Sequence, residues 1–196
     1  MVKNKWGLEV KPHRICAIDA STNSLAFALF AGDELESIGK INFEGNNTYE
    51  KVMDAGQKVK AFFDYCGGFE AIIIEHTVFM NSPKTAADLA LVQGAILGAA
   101  GQSGTKIIGK VSPITWQNFI GNKKISKEEQ LVIRSQIPGK SESYYKAHER
   151  MLRKERTIKF INTIYDRTIT DNDVADACGI GHWALKNWGK AIGVDK

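Results

Sequence analysis

The most constraining stretch of the chain is ICAIDASTNSLAFALF at 15–30, two apolar runs that hold a single carboxylate. Ile15, Ala17 and Ile18 predict a buried strand, 21–24 a polar turn, and 25–30 a second buried strand paired back on the first. Asp19 then stands at the end of a central strand. A buried carboxylate there needs hydrogen bonds, a cation or a metal, because its desolvation otherwise costs several kcal/mol. Asp19 alone is read equally well as a cap on the 21–24 turn or as a metal ligand.

At 196 residues and 43% apolar content the chain suits one domain over 1–196, long enough to bury roughly 70% of its unfolded surface. Residues 1–14 are basic with no signal-like apolar run, and the longest apolar stretch, 89–100, is broken by Gln93, Gly94 and Gly98. A soluble, intracellular protein with no membrane partner is the expectation. Cys16, Cys66 and Cys178 lack paired spacing, so they are expected to be small core residues rather than a disulfide or zinc set. The net charge of +4 is uneven: residues 1–100 hold 9 Lys+Arg against 12 Asp+Glu, and residues 101–196 hold 17 against 10. The basic second half suits a polyanion, although solvated basic faces are common.

Further along, 35–43 predicts a third strand, so the chain opens as an antiparallel meander. Asn47-x-x-Glu50 has capping-box spacing, and Val52, Ala55, Val59, Phe62 and Cys66 recur at helical intervals before Gly67-Gly68. The run FEAIIIE at 69–75 is a buried strand that also ends on a carboxylate, Glu75. Ser82-Pro83 starts a helix through Ala100, rich in Ala and Gly. A strand at 106–111 and a short helix at 114–120 opened by Ser112-Pro113 follow. Residues 122–140 read as a loop or partly helical insertion, 141–165 as a basic helix, 170–188 as a last helix capped by Thr170, and the residues beyond Gly189 as a short tail. This order, βββαβαβα and then helices, predicts an α/β ribonuclease H-like fold: a five-stranded mixed sheet flanked by helices, with a basic insertion at about 122–156.

Asp173 and Asp176 lie three residues apart on the last helix and project from one face. Thr170-x-x-Asp173 is itself a capping box and accounts for Asp173 without any ion; it does not account for Asp176, set between Ala175 and Ala177. If the first and fourth strands are neighbours, Asp19 and Glu75 protrude side by side and the last helix can bring Asp173 and Asp176 over them. Four carboxylates suit hard cations, Mg²⁺ with Mn²⁺ as substitute, and two such ions serve phosphodiester hydrolysis.

The strand carrying Asp19, the segment IIIEHTVFMNSPKTAADLALVQGAILGAA, the stretch ITWQNFIG and the terminal DNDVADA together resemble RuvC-type Holliday-junction resolvases over most of residues 14–185. The resemblance implies that Asp19, Glu75, Asp173 and Asp176 bind two divalent ions and are catalytic. It also implies a homodimer along the 82–100 helix that nicks opposed strands of four-way junctions symmetrically, in recombination or repair. Phe79 would probe bases at the junction centre; one extra residue separates Glu75 from Phe79-Met80. Trp116 stands where family members often carry lysine, so Lys84, Lys123, Lys124 and Lys127 are the candidate DNA contacts. The long basic insertion is similar to that of divergent phage or viral members acting on several branched DNAs, in the cytoplasm of a bacterial or phage-infected cell. His76, His148 and His182 lack partners at ligand spacing and are read as strand-end, solvated and helix-face residues.

Three other readings stay open. Asp19-Ala-Ser-Thr also resembles the first phosphate loop of sugar-kinase and actin-type phosphotransferases, but a second Gly-rich loop is absent from the sequence. A ribonuclease H acting on RNA–DNA hybrids uses a similar acidic cluster. A non-catalytic nucleic-acid-binding scaffold would have no physical reason to keep one.

Overall fold

The computed structural model describes residues 12–76 and 82–194. Its elements are β1 (Arg14–Ala20), β2 (Ser24–Ala31), β3 (Glu34–Asn42), α1 (Thr48–Tyr65), β4 (Ala71–Glu75), α2 (Pro83–Gln102), β5 (Ile107–Val111), α3 (Pro113–Phe119), α4 (Lys127–Gln136), α5 (Glu142–Tyr165), α6 (Asn172–Lys186) and α7 (Trp188–Ala191). The strands form one mixed sheet in the order β3-β2-β1-β4-β5. The first three pair antiparallel through tight turns, and β4 and β5 join parallel to β1 after helical crossovers.

Strand periodicity divides the core into two layers. Ile15, Ala17, Ala71 and Ile73 face α6, where Ala175, Ala177, Cys178 and Ile180 meet them. Cys16, Ile18, Ile72 and Ile74 face the opposite way, against Ala55, Val59 and Phe63 of α1 and Val92 and Ile96 of α2. By the same period of two, Asp19 and Glu75 turn toward the α6 side.

Helix α6 packs closely on the sheet and on α3 because small residues line its contact faces. A Cβ on Gly181 would lie 2.1 Å from Cε2 of Phe30 on β2, and one on Gly179 would lie 2.6 Å from Cζ3 of Trp116 on α3. Neither position has room for a side chain, so glycine fixes the height of the helix above the strands.

The insertion at 122–140 is partly helical: it holds α4, opened by a capping box in which Ser126 and Glu129 bond each other's backbone. It packs on α5 through a small cluster of Ile125, Ile133 and Tyr145. Two expectations are corrected. The N-cap of α6 is Asp171 rather than Thr170: Asp171 Oδ1 accepts from the Asp173 and Val174 amides at 2.8 and 3.1 Å. Beyond Gly189 the chain stays attached, since α7 buries Trp188 and Ala191 against the core and the Ala191 backbone lies over Gly109 of β5. The cysteines are free, with Cys16 and Cys178 buried. Among the described residues no helix is long and apolar enough to cross a membrane.

Candidate active site

Register brings the first two carboxylates together. Ile18 of β1 pairs with Ile74 of β4, so the next residues, Asp19 and Glu75, emerge side by side where the two parallel strands end. On the other side Asp19 pairs with Ala26, which pairs with Lys40 of β3. Lys40, Ala26 and Asp19 are therefore one cross-strand row on one face of the sheet, with only a methyl group between acid and base.

The turn after β1 does not use Asp19 as its cap. Ser21 closes it: the Ser21 amide donates to Ser24 O at 2.8 Å, and Ser21 Oγ accepts from the Asn23 and Ser24 amides at 3.2 and 3.0 Å. Asp173 is likewise released from capping by Asp171. Both carboxylates are left for other partners.

From α6, Asp173 in the first turn and Asp176 one turn on look down on these strand ends. Lys40 Nζ bonds Asp173 Oδ2 at 2.5 Å and approaches Asp171 Oδ2 at 3.4 Å. Glu75 is held at two points: its Oε1 accepts from the buried Trp116 indole Nε1 at 2.6 Å, and its backbone carbonyl accepts from Gln93 Nε2 at 3.1 Å. Among the described residues no hydrogen-bond donor reaches the Asp19 carboxylate.

Electrostatics reflect this crowding. Burial, followed by the charges of Glu75, Asp176 and Asp173, pushes the Asp19 carboxyl well above the usual range, with Lys40 opposing. Burial raises Glu75, and the indole bond partly offsets it. Burial and then Glu75 push Asp176 up to about 7, against the pull of Lys154. As they stand, no three His, Cys, Asp or Glu side chains among the described residues are gathered closely enough to hold one metal ion. Two of the four are tied to neighbours instead, Asp173 to Lys40 and Glu75 to the Trp116 indole. The donor set nonetheless fits a hard divalent cation: it is all carboxylate oxygen, carries excess negative charge, and includes a half-buried Asp19 with no donor among the described residues.

The other predicted residues are more scattered. Lys123 and Lys124, in the α3–α4 connection, and Lys127, the first residue of α4, are exposed. Lys84 forms a surface ion pair with Asp88 at 3.0 Å. Phe79 lies outside the described residues. His182 Nδ1 meets the Tyr165 hydroxyl at 2.8 Å, and His148 stacks on Tyr144, so neither faces the acidic set. Lys40 was not singled out from sequence, because its pairing depends on the β2–β3 register. Trp116 was noted only for the lysine it replaces; its indole bond to Glu75 needs the α3 placement.

No protein-family model matches the chain, and no curated protein sequence is similar to it. Solved structures are. RuvC of T. thermophilus in complex with a Holliday-junction substrate superposes with a TM-score of 0.65 at 15% identity, covering 91% of this chain and 98% of that one. Thermus thermophilus RuvC on its own gives 0.63 at 15% identity with the same coverage. The yeast mitochondrial Holliday junction resolvase Ydc2 gives 0.50 at 13% identity, over 92% of this chain and 83% of that one. The chain has the RuvC-type ribonuclease H-like fold.

Proposed function

We propose that this chain, built on the fold of RuvC-type resolvases, is a divalent-cation-dependent endonuclease that cuts four-way DNA junctions and other branched DNA. The observation that carries this reading is the facing of two pairs of carboxylates, Asp19 with Glu75 at adjacent strand ends and Asp173 with Asp176 on α6, in a fold shared with a resolvase that has been solved on its junction.

Each residue then has a task. Asp19, half-buried and without a donor among the described residues, is the central ligand, flanked by Glu75 on one side and by Asp173 and Asp176 on the other. When bound, divalent ions neutralise charge on the phosphate and lower the pKa of the attacking water. Trp116 keeps the Glu75 carboxylate turned toward the site through its indole N–H. Lys40 balances the acidic set and swings from Asp173 when stronger positive charge arrives. Lys123, Lys124 and Lys127 hold DNA phosphates, which fixes the duplex arms without reading sequence. A second copy, joined along the exposed Ala87, Ala90, Leu91 and Gly94 of α2, supplies the site for the opposed strand.

Incubating an end-labelled four-way junction, a flap and an RNA–DNA hybrid with the protein, in Mg²⁺ or in chelator, tests the reading. Paired, symmetric, metal-dependent nicks on the junction are expected. Cleavage confined to the hybrid reassigns the chain as a ribonuclease H, and binding without cleavage reassigns it as a scaffold.

A further inference from the structure

Beside the acidic set lies a small polar cavity of ≈ 160 Å³. Asp176 forms one wall, Arg150, Arg153 and Lys154 of α5 form another, and Gln117 and Asn122 complete it. Arg150 and Lys154 continue into a wider cavity of ≈ 490 Å³ that reaches Asn172 at the start of α6. A basic groove thus leads from the end of α6 that carries Asp173 to the side chain of Asp176.

Two features mark this cavity as built to receive something. Arg150, Arg153 and Lys154 stand at i, i+3 and i+4 on one face of α5, three positive charges around the single carboxylate of Asp176. Two arginines of the insertion do have acids, Arg134 with Glu142 and Arg156 with Glu129. Arg150 and Lys154 form no ion pair among the described residues. In addition, the Nε–H of Arg153 is buried without an acceptor and the Oδ1 of Asn122 is buried without a donor, although the rest of each side chain is fixed, Arg153 to Gln117 Oε1 and Asn122 Nδ2 to Thr157 Oγ1 at 2.9 Å. One unpaired donor and one unpaired acceptor, beside two unpaired cations, are what a hydrated phosphate satisfies.

We infer that the α5–α6 groove binds a DNA backbone phosphate next to the scissile one, with Arg150 and Lys154 as its charged contacts and the Arg153 Nε–H as its buried donor. The inference deepens the nuclease reading and rests on it. The groove continues past the carboxylate, which suits a polymer backbone rather than a free anion.

The test is binding of four-way junctions in which single phosphates around the crossover are replaced by neutral methylphosphonates, measured in Ca²⁺ with wild type, Arg150→Ala/Lys154→Ala and Arg150→Lys/Lys154→Arg. Both side chains are exposed and make no hydrogen bond among the described residues, so the alanine variant keeps the fold. In wild type, one or two positions next to the scissile phosphate are expected to weaken binding about tenfold when neutralised. In the alanine variant those same positions have no further effect, while phosphates elsewhere keep theirs, and the charge-conserving variant behaves as wild type. Additive losses at every position, with normal junction cleavage by wild type, overturn the groove assignment alone. A wild type that neither binds nor cuts the unmodified junction overturns the nuclease reading and the groove with it.

Discussion

Lys40 Nζ lies 2.5 Å from Asp173 Oδ2 while its strand position shares a cross-strand row with Asp19, so one amine spans the two halves of the acidic set. Removing it should separate stability from ion binding. Lys40→Met loses a half-exposed ion pair, about 1 kcal/mol, which lowers Tm by about 2–4 °C without divalent ions. The same change leaves the carboxylates more negative, and calorimetric Mg²⁺ affinity should rise several-fold. Unchanged affinity would show that the amine does not compete for the site.

The raised carboxyls make the ion-free protein sensitive to pH. A carboxyl that holds its proton more tightly folded than unfolded gives the folded state the extra proton, so stability falls as pH rises between the two values. For Asp176, pushed up to about 7, that window runs from about 4 to about 7, and Asp19 and Glu75 shift in the same direction. Urea midpoints should therefore drop between pH 5 and pH 8 by the equivalent of roughly 2 kcal/mol in chelator. Saturating Mg²⁺ or Asp176→Asn should flatten the profile.

Trp116→Phe keeps an aromatic ring under α6 but removes the donor to Glu75. Loss of that bond lets the Glu75 carboxyl rise further and swing, so half-maximal cleavage should need several-fold more Mg²⁺. The fold should lose about 1–2 kcal/mol. A lower melting point with an unaltered Mg²⁺ requirement would make Trp116 a packing residue only.

Gly181→Ala drives a methyl into Phe30, and either that ring or the whole of α6 must shift. A cost of about 1–3 kcal/mol in unfolding free energy is expected. Because α6 carries Asp173 and Asp176, cleavage well below Tm should fall more than the folded fraction does. Equal losses would mean that the ring alone moves.

Much of this arrangement could be read from residues alone, where the signal is local. Apolar runs ending on Asp19 and Glu75 mark strands whose last side chain must leave the core, and period two assigns them one face. The i, i+3 spacing of Asp173 and Asp176 needs only a helix. Caps were harder, because Thr170, Asp171 and Asp173 all have the right chemistry and the backbone turn decides among them in favour of Asp171. The polarity of 122–140 left a loop or a partial helix equally open, although Ser126-x-x-Glu129 marks where α4 begins. The apparent tail hid its anchor, Ala191, whose backbone lies over Gly109 of β5. Lys40 and the groove formed by Arg150 and Lys154 arise from elements more than a hundred residues, or a whole helix, away from their acidic neighbours, and no spacing rule reports that.

The central claim, that Asp19 belongs to a metal centre acting on DNA, is tested most directly by Asp19→Asn with one labelled four-way junction, read for binding and for cleavage. The variant should bind the junction at least as tightly as wild type, since it repels phosphate less, melt no lower in chelator, and produce no nicks in Mg²⁺ or Mn²⁺. Nicking at the wild-type rate by a folded Asp19→Asn protein would contradict the account.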